Sequence, residues 1–188
     1  TAVLPVMHNP TLGNVGLLMR LWSVVLAGNL IGTAVAAWAF NYMPIFDEPT
    51  RQAFVSIAED VMKNSPTEMF ANAIISGWLV ATMVWMFPVA GAAKIVVIIL
   101  MTWLIALADT THIVVGSVEI LYLVFNGNLP WSDFIWPFAL PTLAGNICGG
   151  TFIFALLSHA QIRNDMSSKR KAEARAQAAE KGKKADRT

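Results

Sequence analysis

The chain has 188 residues, a formal net charge of +1, 56% hydrophobic residues and only 13% charged residues. A soluble globular domain carries roughly 25% charged residues, so the composition excludes an ordinary soluble enzyme and a disordered chain and indicates an all-α membrane protein. The net charge gives no reason to expect nucleic acid as a partner, and the single cysteine, Cys148, excludes a disulfide framework.

The first long apolar run covers residues 21–43 and lies between Arg20 and Pro44. About 20 helical residues cross the hydrocarbon core of a bilayer, so this run predicts a transmembrane helix. Residues 1–16 are predicted to contain the end of a truncated preceding helix and a cytoplasmic linker, because their apolar part is too short to span. The transmembrane domain is predicted to cover residues 17–161.

The following loop, residues 44–68, is predicted to contain a short amphipathic helix that ends at Ser65-Pro66. Its apolar residues at helical spacing are Phe54, Ile57, Ala58, Val61 and Met62. The second span is predicted at residues 69–93 and is closed by Lys94. Two readings of Lys94 stay open, an anchor at the membrane surface and an attractor of anions at a pore mouth.

The third span is predicted at residues 95–125 and carries polar residues in its middle, Asp109-Thr110-Thr111-His112. A single helix of this length would measure about 46 Å, well beyond the hydrocarbon core. Overlong spans with polar interruptions are typical of discontinuous helices that expose backbone groups toward a substrate. We therefore expect a broken helix and a substrate pathway along it.

His112 is the strongest candidate for a functional residue, because an imidazole at membrane depth usually faces a bundle interior or a water-filled path. It could protonate a weak-acid anion where desolvation is most costly, or it could be a structural histidine. Asp109 either pairs with His112 or caps the following half-helix, and Glu119 lies nearer the outer interface. No further ligand type accompanies them, so neither a metal nor a cofactor is expected.

The fourth span is predicted at residues 134–158, and a basic cytoplasmic tail follows at residues 162–188. The tail is rich in Lys, Arg, Ala and Glu, and its basic run at residues 169–171 either contacts anionic membrane lipids or serves only as a topology signal. Arg20, Lys94 and nine bases of the tail fall on one side of the four spans, whereas the two opposite loops hold two bases and six acids. This asymmetry predicts a cytoplasmic C-terminus.

Spans one and four share the string Leu-Ala-Gly-Asn, at residues 26–29 and 143–146, followed by an aliphatic residue and a nearby glycine. The two helices are predicted to run in opposite directions, which is the mark of an inverted-topology repeat. The alternative is a pair of small-residue packing motifs. That alternative accounts for the glycines better than for Asn29 and Asn146, whose amides need partners within the membrane.

Taken together, these motifs resemble those of the formate/nitrite transporter family over nearly all of residues 12–161. The motifs are Gly28-Asn29-Leu30-Ile31-Gly32, Lys94, His112 and Gly145-Asn146-Ile147-Cys148-Gly149-Gly150. The overall match is to an uncharacterised inner-membrane branch of that family.

The resemblance implies an aquaporin-like inverted-repeat bundle of six helices, of which this chain holds four, and a homopentamer in the bacterial inner membrane. It implies transport of small monovalent anions such as formate or nitrite, with protons, and no enzymatic activity. The implied pathway residues are His112, Thr111, Thr110, Asp109, Lys94, Asn29 and Asn146.

The sequence departs from the family pattern at Gly77, Thr111 and Gly116, where asparagine or acidic residues are common, and at Ile105, where an aromatic residue is common. These departures leave a second interpretation open, a membrane scaffold of the same fold that transports nothing because its pore is degenerate.

Overall fold

The computed structural model describes residue 6 and residues 9–154, and in this part of the chain all regular secondary structure is helical. Seven α-helices follow in order: α1 (Leu12–Tyr42), α2 (Glu48–Met62), α3 (Pro66–Ala90), α4 (Lys94–Leu107), α5 (Ile113–Phe125), α6 (Trp131–Asp133) and α7 (Leu140–Ile147). A 3-10 turn, Gly91–Ala93, joins α3 to α4. Two π-helical turns, Phe134–Ala139 and Cys148–Ile153, flank α7.

Three sequence predictions fall outside the described residues. They concern the end of a preceding helix, which lies almost wholly in residues 1–8, the last residues of the fourth span at 155–158, and the basic tail at 162–188.

Helix α1 starts at Leu12, so the prediction that the residues up to 16 form a linker is wrong. The side chain of Thr11 accepts a hydrogen bond from the backbone N–H of Asn14 at 3.2 Å and caps the helix there. Arg20 is exposed, and the helix passes through it because an outward-facing charge does not interrupt the backbone hydrogen bonds.

Helix α2 confirms the predicted amphipathic helix between the first two spans. Asp47 caps it by accepting a hydrogen bond from the backbone N–H of Thr50 at 3.2 Å. The guanidinium of Arg51 donates to the carbonyls of Asn41 and Met43, each at 2.9 Å. Because these carbonyls belong to the end of α1, Arg51 fastens α2 to α1.

Ser65 and Pro66 begin helix α3, so the prediction that they end the amphipathic helix is corrected: α2 already ends at Met62. The hydroxyl of Ser65 accepts from the backbone N–H of Glu68 at 3.3 Å, and the Glu68 carboxylate accepts from the backbone N–H of Ser65 at 2.7 Å. This reciprocal pair is a capping box, which stabilises a helix start. Helix α3 ends at Ala90, and Gly91 follows with φ of +48°, a conformation that glycine adopts without strain.

The third apolar stretch consists of two helices, α4 and α5, separated by residues 108–112. We call residues 108–112 the helix break. Asp109 has a φ of +48° there, and His112 is extended with φ of −130° and ψ of 132°. The polar residues that suggested an interruption in the sequence are therefore the residues at which the helix stops and restarts.

The last apolar stretch is kinked at Trp136, whose φ of −137° and ψ of 121° are not helical. The ring of Pro137 crowds the residue before it and disfavours the helical conformation there. The apolar stretch predicted as the fourth span is therefore interrupted near its start. The regular part, α7, starts at Leu140.

Two packing groups make up the described structure. Helix α3 packs against α7 and the turn that follows it, whereas α1 and α2 pack against α5. By length and apolar composition, α1 and the stretch Pro66–Leu107 are each sufficient to cross a membrane, and α5 is apolar but shorter. The helix break lies where the two packing groups meet, since α5 follows it directly and α7 contacts it.

Candidate functional site at the helix break

His112 is the cap of helix α5, and its ring takes part in the cap. Its Nδ1 accepts a hydrogen bond from the backbone N–H of Val114 at 3.3 Å, and its carbonyl accepts from the N–H of Gly116 at 2.8 Å. An Nδ1 that accepts a hydrogen bond carries no proton, so the neutral ring holds its proton on Nε2. Nε2 makes no hydrogen bond with the described residues and remains available to another partner.

Asn146 of α7 braces the break from the opposite side. Its Oδ1 accepts a hydrogen bond from the backbone N–H of Ile113 at 2.9 Å, the first residue of α5. Its Nδ2 donates to the carbonyl of Ala73 at 2.8 Å and to the hydroxyl of Ser76 at 3.0 Å, both on α3. One side chain therefore ties α7, α3 and the start of α5 together, which satisfies backbone groups that the broken helix leaves unpaired.

Thr111 and Ser76 complete this polar cluster. The hydroxyl of Thr111 donates to the carbonyl of Met69 at 2.8 Å, and the hydroxyl of Ser76 hydrogen-bonds the carbonyl of Thr111. Both side chains are buried, at 4% and 0% exposure. Their hydrogen bonds explain how polar side chains and a broken backbone are accommodated among apolar helices.

Ser76 was missed in the sequence analysis. A single serine in an apolar span is a weak signal, because a serine hydroxyl can bond to its own helix. Only the folded chain shows that its second partner is Thr111, 35 residues away.

Glycines allow α3 and α7 to approach so closely that their backbones are in contact. A Cβ atom added to Gly149 would collide with the carbonyl oxygen of Ile74, one added to Gly145 with that of Phe70, and one added to Gly77 with that of Asn146. Gly77 thus has a packing role. It leaves room for the residue that braces the break.

Gly116 also has a packing role, since a Cβ there would lie 2.7 Å from the ring of Phe138. Thr111 donates the hydrogen bond described above. Gly77, Thr111 and Gly116 all depart from the family pattern, and each makes a contact in this fold that explains why that residue type occurs there.

The structure brings three of the predicted pathway residues together, namely His112, Thr111 and Asn146. Thr110 and Asp109 lie in the same break, but their side chains do not take part in the hydrogen bonds of this cluster. The Thr110 hydroxyl donates to the carbonyl of Ile105 at 3.0 Å, and Asp109 is exposed.

Lys94 and Asn29 lie apart from the break. Lys94 is exposed at the first residue of α4, so the 14 residues of that helix separate it from the break, a length of about 21 Å. Asn29 is exposed on α1. A Cβ atom added to the neighbouring Gly28 or Gly32 would have none of the described residues within 4 Å. The two copies of the Gly-Asn string thus have different surroundings among the described residues.

Two cavities run beside α5 on the side of α1 and α2. The larger, about 430 Å³, has mostly apolar walls that include Phe40, Phe54 and Val115, and one acidic side chain, Glu119. The smaller, about 250 Å³, is lined by polar residues that include Glu48 and Arg51. Tyr122 lines both cavities.

Comparison with known proteins agrees with this architecture. The family model for formate/nitrite transporters matches residues 1–160. The chain is also similar to the Escherichia coli (strain K12) inner membrane protein YfdC, with 84% identity over 178 residues, or 95% of this chain. It spans 57% of the length of that relative.

No solved structure matches the chain. The family model, however, covers most of it, and α1, the stretch Pro66–Leu107 and α5 are apolar, as the helices that cross a membrane must be. The chain is therefore a member of the formate/nitrite transporter family.

Proposed function

We propose that the protein conducts small monovalent anions, such as formate or nitrite, across the bacterial inner membrane, linked to protons through His112. Membership of a family of small-anion transporters supports this proposal. The observation that carries it is the helix break itself, where His112 presents an Nε2 without a protein partner among the described residues. Transport rather than catalysis is the proposed activity.

The break suits an anion for two physical reasons. Helix α5 begins there, and the positive end of a helix dipole favours negative charge. The neutral imidazole offers an Nε2–H donor without a charge that would hold the anion too tightly. Protonation would place the second proton on Nδ1 and replace the hydrogen bond from Val114, so the charge of His112 is coupled to the start of α5.

The remaining pathway residues have proposed roles that follow from their places. Lys94 raises the anion concentration at the cytoplasmic mouth, since it is an exposed cation at the far end of α4. Thr110 and Asp109 shape the break, and Asn146 with Thr111 holds it open. Asn29 is assigned the equivalent bracing role in the first half of an aquaporin-like inverted repeat.

The same proposal includes six helices per subunit, a pentamer with one pore per subunit, and a cytoplasmic C-terminus. These features come from the family resemblance and from the distribution of basic residues. Because Gly77, Thr111 and Gly116 have packing contacts in this fold, their departure from the family pattern gives no specific support to a degenerate pore.

Flux of formate and nitrite into proteoliposomes tests the proposal, with the natural full-length protein and two variants. His112→Phe removes both the cap and the imidazole. His112→Asn keeps a side chain that can cap a helix but cannot titrate near neutral pH, so it separates capping from proton chemistry. We expect both variants to lose pH-dependent anion flux, with His112→Asn retaining the thermal stability of the parent.

Glu59→Gln, a change on the exposed face of α2, is the control and should leave flux unchanged. Wild-type flux with unaltered pH dependence in both His112 variants would remove this residue from the mechanism. No flux of any small anion in the parent protein would favour the non-transporting scaffold.

A further inference from the structure

The peptide group between Thr111 and His112 is held by side chains and not by helical hydrogen bonds. The Thr111 carbonyl accepts no backbone N–H from the described residues. The hydroxyl of Ser76 on α3 hydrogen-bonds this carbonyl instead, and the Nδ2 of Asn146 lies 3.5 Å from it. Without the Ser76 hydroxyl, the carbonyl of a buried residue would therefore keep only one long contact.

The Ser76 hydroxyl has a single proton to donate and two carbonyls within reach, those of Thr111 and Ala73. The Ala73 carbonyl already accepts a backbone N–H of its own helix and the amide of Asn146 at 2.8 Å. The Thr111 carbonyl lacks a backbone partner, so it gains more from the proton. The Ser76 oxygen in turn accepts from the Asn146 Nδ2 at 3.0 Å, which leaves its proton for the helix break.

This peptide group sets the orientation of His112. A peptide bond is planar, so a fixed Thr111 carbonyl also fixes the backbone nitrogen of His112. In its extended conformation His112 accepts the N–H of Val114 at Nδ1, at 3.3 Å, and the ring proton then lies on Nε2. This hydrogen bond is long, so a small rotation of the backbone breaks it. The tautomer of His112 therefore depends on the peptide group that Ser76 holds.

We infer that Ser76 is the positioning residue of His112: through the Thr111 peptide group it holds the ring in the orientation that keeps the proton of the neutral imidazole on Nε2. The significance for transport rests on the proposed function, in which Nε2–H donates to the anion. A proton on Nδ1 would instead leave Nε2 as an acceptor, which repels an anion. Because Ser76 is fully buried, it acts through His112 and not on the solute itself.

The ¹⁵N chemical shifts of the imidazole test this inference, because a protonated and an unprotonated ring nitrogen give well-separated resonances. The full-length protein, labelled at histidine, is compared with Ser76→Ala at about pH 8.5, where an ordinary imidazole is neutral. The spectrum of His112→Asn assigns the His112 signals by their loss. We expect Ser76→Ala to lower the ratio of Nε2–H to Nδ1–H tautomer about fivefold, as the loss of one ordinary hydrogen bond does.

Ser117→Ala is the matched control. Ser117 is as fully buried as Ser76, but its hydroxyl donates to the Ile113 carbonyl of its own helix, at 2.5 Å. Its removal should lower the thermal stability to a similar extent and leave the tautomer ratio and the formate flux in proteoliposomes unchanged. Ser76→Ala should lower that flux. Ser76→Cys keeps a weak donor, so its ratio should lie between those of the parent and Ser76→Ala.

A parent-like tautomer ratio in folded Ser76→Ala would overturn the positioning role, and so would an equal change in Ser117→Ala. If Ser76→Ala does not fold, the ratio in Ser76→Cys decides, and a value equal to that of the parent would overturn the role. An altered ratio with parent-level flux would overturn the part of Ser76 in transport. A parent protein that conducts no small anion would overturn the transport function, whereas the tautomer ratio would still decide whether Ser76 positions the ring.

Discussion

Replacing Asn146 by alanine should weaken the fold and the helix break together. The side chain makes three hydrogen bonds of 3.0 Å or less, to Ile113, Ala73 and Ser76. Interhelical hydrogen bonds in membrane proteins contribute about 0.6 kcal/mol each on average, which gives about 2 kcal/mol for three. The N–H of Ile113 then lacks its acceptor at the start of α5, which adds about 1 kcal/mol.

We therefore expect Asn146→Ala to lower the free energy of unfolding by about 2–3 kcal/mol. Equilibrium unfolding in mixed detergent micelles measures this change. The matched control is Asn128→Ala, because Asn128 is exposed and its side chain forms no hydrogen bond with the described residues. Equal and small losses for the two variants, under about 0.5 kcal/mol, would refute the bracing role.

Two further perturbations test other parts of the structure. Gly149→Ala should destabilise the protein by about 1–3 kcal/mol in the same unfolding assay, because the added Cβ meets the carbonyl of Ile74. Gly16→Ala, at a position with nothing within 4 Å, should be neutral or stabilising, and similar losses at both glycines would contradict the close contact of α3 and α7. Acid should loosen the starts of α2 and α3. Hydrogen bonds from the Thr50 side chain and backbone N–H hold the pKa of Asp47 below its ordinary 3.8, and those from the Ser65 N–H and hydroxyl hold the pKa of Glu68 below its ordinary 4.5. A carboxylate with a lowered pKa stabilises the fold above its ordinary pKa, and this contribution is lost as pH falls through the folded-state value. The midpoint of the unfolding transition should therefore decrease as the pH is lowered below about 4.5. The decrease should be less steep in Asp47→Asn and in Glu68→Gln than in the parent protein. A slope equal to that of the parent in both variants would count against the caps.

Much of the helical pattern could be predicted from the sequence, because long apolar runs require helices in a membrane and polar residues mark where one of them breaks. The break at residues 108–112 follows from Asp109, Thr110, Thr111 and His112, whose side chains compete with regular backbone pairing. Errors arose where a local signal had two meanings. Ser65-Pro66 ends a helix or starts one, and only Glu68 three residues after Ser65 decides for the start.

The candidate site was less predictable, since its geometry depends on residues far apart in the chain. The string Leu-Ala-Gly-Asn is the same in α1 and α7, yet Asn146 meets the break and Asn29 is exposed among the described residues. Burial in a tertiary contact is not encoded in a four-residue match. Ser76 likewise acquires its role only through its second partner, Thr111.

The contact between α3 and α7 has a mechanical consequence. Because backbone meets backbone at Gly145 and Gly149, no layer of side chains can rearrange to absorb a displacement there. These two helices form a closely packed pair that carries Asn146, whereas α5 packs on α1 and α2. A shift between this pair and α5 must therefore stretch the link from Asn146 to Ile113, next to His112. The imidazole of His112 therefore lies at the contact that a displacement between the two packing groups would strain first.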